Sequence, residues 1–270
     1  MKRCLAMVLL LCLFVVLPGR GQFEPPAANV PDAATRKAIE AKTAELARRV
    51  AALAKGNQPD DLLAEVEIYL KAAEWMLQHK EYYHKDAGKW TLAILDEGLN
   101  RAGLLERSES PWRYAPGQDV SRAYRSRVDG SVQPYSIALP LDYGKDKTKK
   151  WRLDVVLHGR DSSISEVKFL NQHNGKATPK DQPFVRLDIY GRGNNAYRWA
   201  GETDVHEAIA AFLAAEKKAG RDLIDPRRIV LRGFSMGGAG TWHLGLHHPD
   251  RWCVLGPGAG FTTTHGYIKG

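Results

Sequence analysis

The stretch Arg228–Asp250, "RIVLRGFSMGGAGTWHLGLHHPD", decides the fold. It opens on a β-branched, strand-like run and closes on a helix-like run, and one serine, Ser235, sits between glycines at the seam. In the pattern G-F-S-M-G, a serine on a sharp strand-to-helix turn projects its hydroxyl above the end of a sheet, where side chains two positions either side would collide with the turn. Gly233 and Gly237 clear that space, and Gly238 and Gly240 let the helix approach its neighbours. Ser235 is therefore read as a catalytic nucleophile, against the simpler alternative of a glycine-rich helix start.

Working upstream, "VVLHGR" (Val155–Arg160) is a second strand end followed by a turn. An acyl-transfer serine needs amide donors aimed at the developing oxyanion, one from the residue after the serine and one from the loop after an earlier strand. The expected donors are the amides of Met236 and Arg160. His158 is read as a structural residue of the turn rather than a general base. A third segment, "YGRGNNAYRWAGETDVHEA" (Tyr190–Ala208), leaves a strand and enters a helix expected to be capped by Thr203. Arg192, Asn194 and Asn195 at the carboxyl end of that strand either line the substrate cleft or form a hydrogen-bonded turn.

The grammar around these segments is strand, loop, helix, repeated from Trp151 onward, which calls for an α/β class with a mostly parallel sheet covered on both faces. Before it, "AYRSRVDGSVQPYSIALP" alternates with period two about Asp129-Gly130 and predicts a tight type I′ hairpin at one side of the sheet, with Pro134 placing its second arm at an edge. Earlier still, Ile39, Thr43, Leu46, Val50 and Leu53 recur at helical spacing. Val66, Leu70, Ala73 and Leu77, then Leu92, Leu95, Leu99 and Ala102, continue the pattern, so three helices in hairpin order are expected, the first starting at Pro31-Asp32.

The chain of 270 residues carries +8 formal charge and 44% hydrophobic residues, an ordinary globular composition. Lys2 and Arg3, the apolar run Cys4–Leu17 and the small residues ending at Gly21 read as a cleavable export signal; the run is shorter than the roughly 20 residues of a spanning helix. Its removal lowers the charge from +8 to +5, too mild a bias to indicate nucleic acid, and "GKDKTKKWR" (Gly144–Arg152) reads as a solvated turn. The divisions are thus a signal over 1–21, a linker over 22–31, a helical segment over 32–112 and a partial hydrolase-type domain over 113–270. No stable membrane insertion is expected after cleavage, and the expected location is the periplasm or the extracellular space. Cys253 is the one cysteine outside the signal, so no internal disulfide is expected, and its apolar surroundings "WCVLG" suggest a buried, inert thiol. No metal or cofactor is expected. His79 and His84 lack partners for a metal set, and His243 and His247, though four apart on a helix, have Leu244 where a zinc peptidase motif has glutamate.

Taken together, "LHGR", "YGRGNNAYRW", "DPRRIVLRGFSMGGAGTWHLGLHHPDRW" and the "DGSVQPY" hairpin resemble the α/β-hydrolase superfamily, and within it the prolyl-oligopeptidase-like serine hydrolases, especially exported bacterial members with a helical segment before the catalytic domain. The resemblance runs from about Ala115 to the end. It implies a serine peptidase or carboxylesterase, acting on a small peptide or an ester, with Ser, Asp and His in that chain order. Only Ser235 maps onto a triad position. Asp250 is expected at the opposite end of the sheet, and His265 precedes the place where even the acid belongs. With 35 residues after Ser235, the expectation is the front part of a longer hydrolase whose last strands, acid and base are missing, and whose sheet edge near Cys253 is open to self-association. The rival reading is a truncated, non-catalytic module.

Overall fold

The computed structural model describes residues 26–263; the signal over 1–21, the first part of the linker and His265 lie outside the described residues. Three helices come first: α1 (Ala33–Lys55), α2 (Asp60–His79) and α3 (Ala87–Glu106). Asp32 starts α1 as expected, its carboxylate accepting the Thr35 amide at 2.8 Å. The five apolar-spaced positions of α1 are all buried.

Strands β1 (Gln118–Arg125) and β2 (Val132–Ala138) form the hairpin. They are followed by β3 (Trp151–Leu157), α4 (Glu166–Gln172), β4 (Asn174–Ala177), β5 (Val185–Ile189), α5 (Ala200–Lys218), β6 (Ile224–Phe234), α6 (Met236–His247) and β7 (Val254–Gly258). The seven strands form one sheet in the order β4-β1-β2-β5-β3-β6-β7. β5, β3, β6 and β7 run parallel, while β2 is antiparallel to both β1 and β5, and β1 to β4. The chain steps from β3 to β5 on one side and then returns past β3 to β6 on the other. The carboxyl ends of β3, β5 and β6 therefore meet at a point where the winding reverses, the place where open α/β sheets hold ligands.

The helical segment is not a free-standing unit. Its buried residues share a core with Val120, Ala123 and Val132 of the hairpin and with Val167 and Leu170 of α4. The opposite core joins β3, β5 and β6 to α5 and α6 through Leu153, Val155, Leu187, Phe212, Leu231 and Leu244. A buried polar knot ties the layers. Glu65 of α2 accepts from Arg122 Nε of β1 at 2.5 Å, from Trp112 Nε1 at 2.7 Å and from Arg113 Nε at 3.1 Å. Arg101 of α3 donates to the Ser121 carbonyl at 2.9 Å and lies over the rings of Tyr69 and Trp112.

Four expectations are corrected. The hairpin turn is wider than a type I′ turn: Ser126 N donates to Ser131 O at 2.8 Å, and of Asp129 and Gly130 only the glycine takes positive φ (73°). The Asp129 carboxylate instead accepts from the amide of Ser131 at 3.0 Å, fixing the open turn. Pro134 is not on an edge strand, since β2 lies between β1 and β5; pairing with β5 begins only at Tyr135, so the missing amide costs no ladder bond there. α5 starts at Ala200, a turn before Thr203, with Trp199 at the cap position. Cys253 is exposed, because β7 ends the sheet among the described residues and pairs only with β6; Val254 beside it is 54% exposed. Among the described residues no helix is long and apolar enough to cross a membrane.

Candidate active site

Ser235 lies between β6 and α6 with φ 54° and ψ −117°. A side chain in that backbone region costs about 1–3 kcal/mol and persists only where the surroundings enforce it. The enforcement is visible. The register of β3 against β6 sets Leu157 beside Gly233. A Cβ on Gly237 would overlap the carbonyl oxygen of Leu157 and come to 2.8 Å from that of His158; one on Gly233 would overlap the backbone of Gly237. The Ser235 amide donates to Gly258 O of β7 at 2.9 Å, so three strands grip the turn.

Gly237→Ala is therefore expected to lower stability by at least about 3 kcal/mol, the upper end of overpacking costs, because backbone rather than a flexible side chain must yield. Urea unfolding followed by circular dichroism checks this. Gly130→Ala, with open space around it, should cost far less.

The loop after β3 reaches the serine. A Cβ on Gly159 would stand 3.8 Å from Ser235 Cβ and 3.3 Å from the Phe234 carbonyl. Met236, whose amide begins α6, is buried, and Arg160 follows Gly159 along the rim of an adjoining cleft of about 570 Å³. Ile164, Phe169, His173 and Asp188 also line that cleft. The structure thus brings Ser235 and Met236 beside Gly159, and Arg160 follows in the chain. Phe234, 68% exposed, adds apolar surface beside the serine.

His158 is held within the turn. Its amide donates to the hydroxyl of buried Tyr197 at 2.6 Å, and its ring nitrogens face the carbonyl oxygens of Gly159 at 2.8 Å and Tyr190 at 2.9 Å. An imidazole so engaged is a brace for the loop, as its place in the sequence suggests. Among the described residues, no imidazole is hydrogen-bonded to Ser235 Oγ. Asp250 lies in the turn after α6, about 20 Å from Ser235 by the helical rise of that element.

The polar side chains of the segment after β5 are hydrogen-bonded to the loops around them. Arg192 Nε donates to Asp204 Oδ2 at 2.9 Å and Nη2 to Ser126 Oγ at 3.0 Å, and its guanidinium also pairs with Asp129. It clamps the hairpin turn to α5, and its hydrogen bond to the exposed Asp129 holds that carboxyl well below the usual range. Asn195 donates to Gly191 O at 2.7 Å and accepts from Tyr197 N at 2.8 Å. Asn194 accepts the Asp161 amide at 3.1 Å and donates to its carbonyl at 2.8 Å, clasping this loop to the one after β3. Together these bonds tie the loops after β3 and β5 to each other and to the hairpin turn. Sequence reading missed two features here: Trp199, 80% exposed with φ 54°, and the role of Tyr197 under His158. The crowding of Arg192, Ala196, Tyr197 and Trp199 at positive φ has no signature in residue type.

No family model matches the chain. A curated relative, an uncharacterised secreted protein of Arthroderma benhamiae, is 25% identical over 147 residues; these are 52% of this chain but only 16% of that protein, so the match covers about a sixth of the relative's length. Among solved structures, a ferulic acid esterase is 23% identical over 52% of this chain and 59% of its own, at a TM-score of 0.37. A thermostable esterase is 22% identical over 50% and 39%, at 0.35. The fluorophosphonate-binding serine hydrolase F of Staphylococcus aureus is 18% identical over 51% and 55%, also at 0.35. Likeness at this level leaves the functional reading to the geometry of the turn.

Proposed function

We propose that the protein is an exported serine hydrolase in which Ser235 attacks a carbonyl carbon and carries the acyl group. The observation that carries this reading is the backbone of Ser235, a non-glycine residue at φ 54° between a strand and a helix. Strain of this kind is retained where a side chain must be presented, and the turn presents a hydroxyl next to the Gly159-Arg160 loop. In the proposed reaction the serine oxygen forms the new bond to the carbonyl carbon while its proton leaves to a general base. The amides of Met236 and Arg160 receive the developing oxyanion, and the leaving alcohol or amine departs with a proton. Water then releases the acid and restores the serine.

The substrate is a small carboxylic ester or a peptide. Exposed Phe234 beside the nucleophile suits an apolar or aromatic group next to the scissile bond. The prolyl-oligopeptidase-like resemblance supports a peptidase, and a carboxylesterase of feruloyl, acetyl or polyester type is the alternative. Export is inferred from the signal-like residues 1–21 and agrees with the secreted relative.

The two substrate classes separate in a paired assay of p-nitrophenyl esters of graded acyl length against prolyl p-nitroanilide peptides. The peptidase reading expects amide turnover with kcat/KM within about tenfold of the ester value. Ester turnover without amide cleavage assigns the esterase, and no turnover of either by the secreted protein removes the hydrolase reading.

A further inference from the structure

The second concentration of chemistry lies where α5 meets the end of α6. Glu202 and His206 stand four apart on α5 and so share a face. Across from them are His243 and His247 of α6 and His248 just after it. Glu202 Oε1 is 2.9 Å from His248 Nε2, and Glu202 Oε2 is 2.7 Å from His243 Nε2.

His206 is the unusual member. Both ring nitrogens are buried and have no hydrogen-bond partner among the described residues. Its ring meets that of His248 edge-on at 4.6 Å and stacks toward Trp252 at 6.1 Å. A half-buried imidazole whose two nitrogens are both buried and unpartnered calls for an explanation, since such atoms are nearly always paired.

We propose that Glu202, His206 and His248 bind one divalent cation of the zinc class, pinning the start of α5 to the end of α6. One ligand atom from each of the three lies within 4.8 Å of the others. Tetrahedral zinc with bonds near 2.0–2.1 Å needs its ligands about 3.3 Å apart, so Glu202 and His248 have only to part by a few tenths of an ångström. Two imidazoles and one carboxylate form a borderline donor set, which favours zinc over calcium or magnesium. His243, hydrogen-bonded to the other carboxylate oxygen, would orient Glu202 from outside the ligand set.

The rival grouping, Glu202 with His243 and His247, leaves His206 unexplained and uses His247, whose Nδ1 is 3.9 Å from Glu202 and whose side chain is 56% exposed. A third grouping, Asp119, His173 and Asp188, is already neutralised, because Arg186 bonds both carboxylates at 2.7 and 2.6 Å. The pin stands about 20 Å from Ser235 along α6, so it is separate from the proposed reaction. The carboxylate that meets the α6 histidines comes not from α6 but from α5, 41 residues before His243.

The test is a zinc titration of the full, tag-free chain in competition with a chromogenic chelator, with cobalt absorption as a second readout of four-coordinate geometry. The expected result is one tight equivalent. His206→Ala and His248→Ala should each weaken it by more than about 100-fold. His243→Ala should cost about 10–100-fold, as an outer partner does, and His79→Ala nothing. Metal-free melting curves identify any variant that fails to fold, and His206→Gln, which keeps the volume of the site, replaces His206→Ala in that event. No stoichiometric binding by the wild type, or binding kept in the folded His206 variant but lost in His247→Ala, overturns the proposal.

Discussion

Ser235→Ala is expected to lower kcat/KM on the substrate the wild type turns over by at least about 10⁴-fold, some 5.5 kcal/mol of transition-state stabilisation. Alanine keeps the Cβ and therefore the strained backbone, so the loss reports the missing hydroxyl and not a relaxed turn. A residual rate above the uncatalysed reaction should remain, because the amides of Met236 and Arg160 would still polarise a bound carbonyl. Ser235→Gly separates chemistry from strain. Glycine accepts φ 54° without penalty, so this variant should be equally inactive yet more stable than the wild type by about 1–2 kcal/mol. Initial rates measured beside urea unfolding check both halves; a Ser235→Gly variant less stable than the wild type would show that the turn holds no strain.

The largest effect on stability is expected from Glu65→Ala. The side chain is 0% exposed, and its removal leaves Arg122, also buried, without its counter-charge and strips Trp112 and Arg113 of their acceptor. Breaking one side of a buried pair costs about 3–5 kcal/mol, which for a chain of this size is a fall of roughly 10 °C in Tm. Removal of exposed Asp96, which pairs with Lys42 on the surface, should cost under about 1 kcal/mol. The same knot predicts a pH dependence. Burial opposes the Glu65 charge, but Arg122 and Arg113 outweigh it and hold the carboxyl below its ordinary value. A carboxyl with a depressed folded-state pKa binds fewer protons folded than unfolded. Its stabilisation is complete above the ordinary glutamate range and fades as the pH falls through and below that range. Glu65→Gln should flatten this acid limb while lowering stability at neutral pH, both read from denaturant midpoints across the pH range.

These two sites differ in how far residue order announces them. The elbow was legible because its constraint is local: a strand, two glycines and a serine within five residues fix the turn, and the three-helix segment and the β/α alternation follow from periodicity alone. The Glu65 knot was not, since its partners sit 47 to 57 residues away and only the docking of the helices on β1 brings them together. A weak signal existed, in that Glu65 falls on the buried stripe with Ile68, Tyr69 and Ala72. Arg192 and Asn195 illustrate a different limit. Polar residues at a strand's carboxyl end serve equally to line a cleft or to tie a loop, and the choice rests on where Asp129 and Asp204 arrive. Cys253 shows a third: an apolar neighbourhood in sequence implies burial only if another layer covers the strand, and β7 has a neighbour on one side alone among the described residues.

The measurement that bears most directly on the central claim is peptide mass spectrometry after treatment of the folded full-length protein with a fluorophosphonate. An activated serine attacks phosphorus, fluoride leaves, and the phosphonyl group stays on its oxygen. One modified peptide is expected, with the added mass on Ser235, and no labelling after thermal unfolding. Labelling of a different residue, or none on the native full-length protein, would contradict a nucleophilic Ser235.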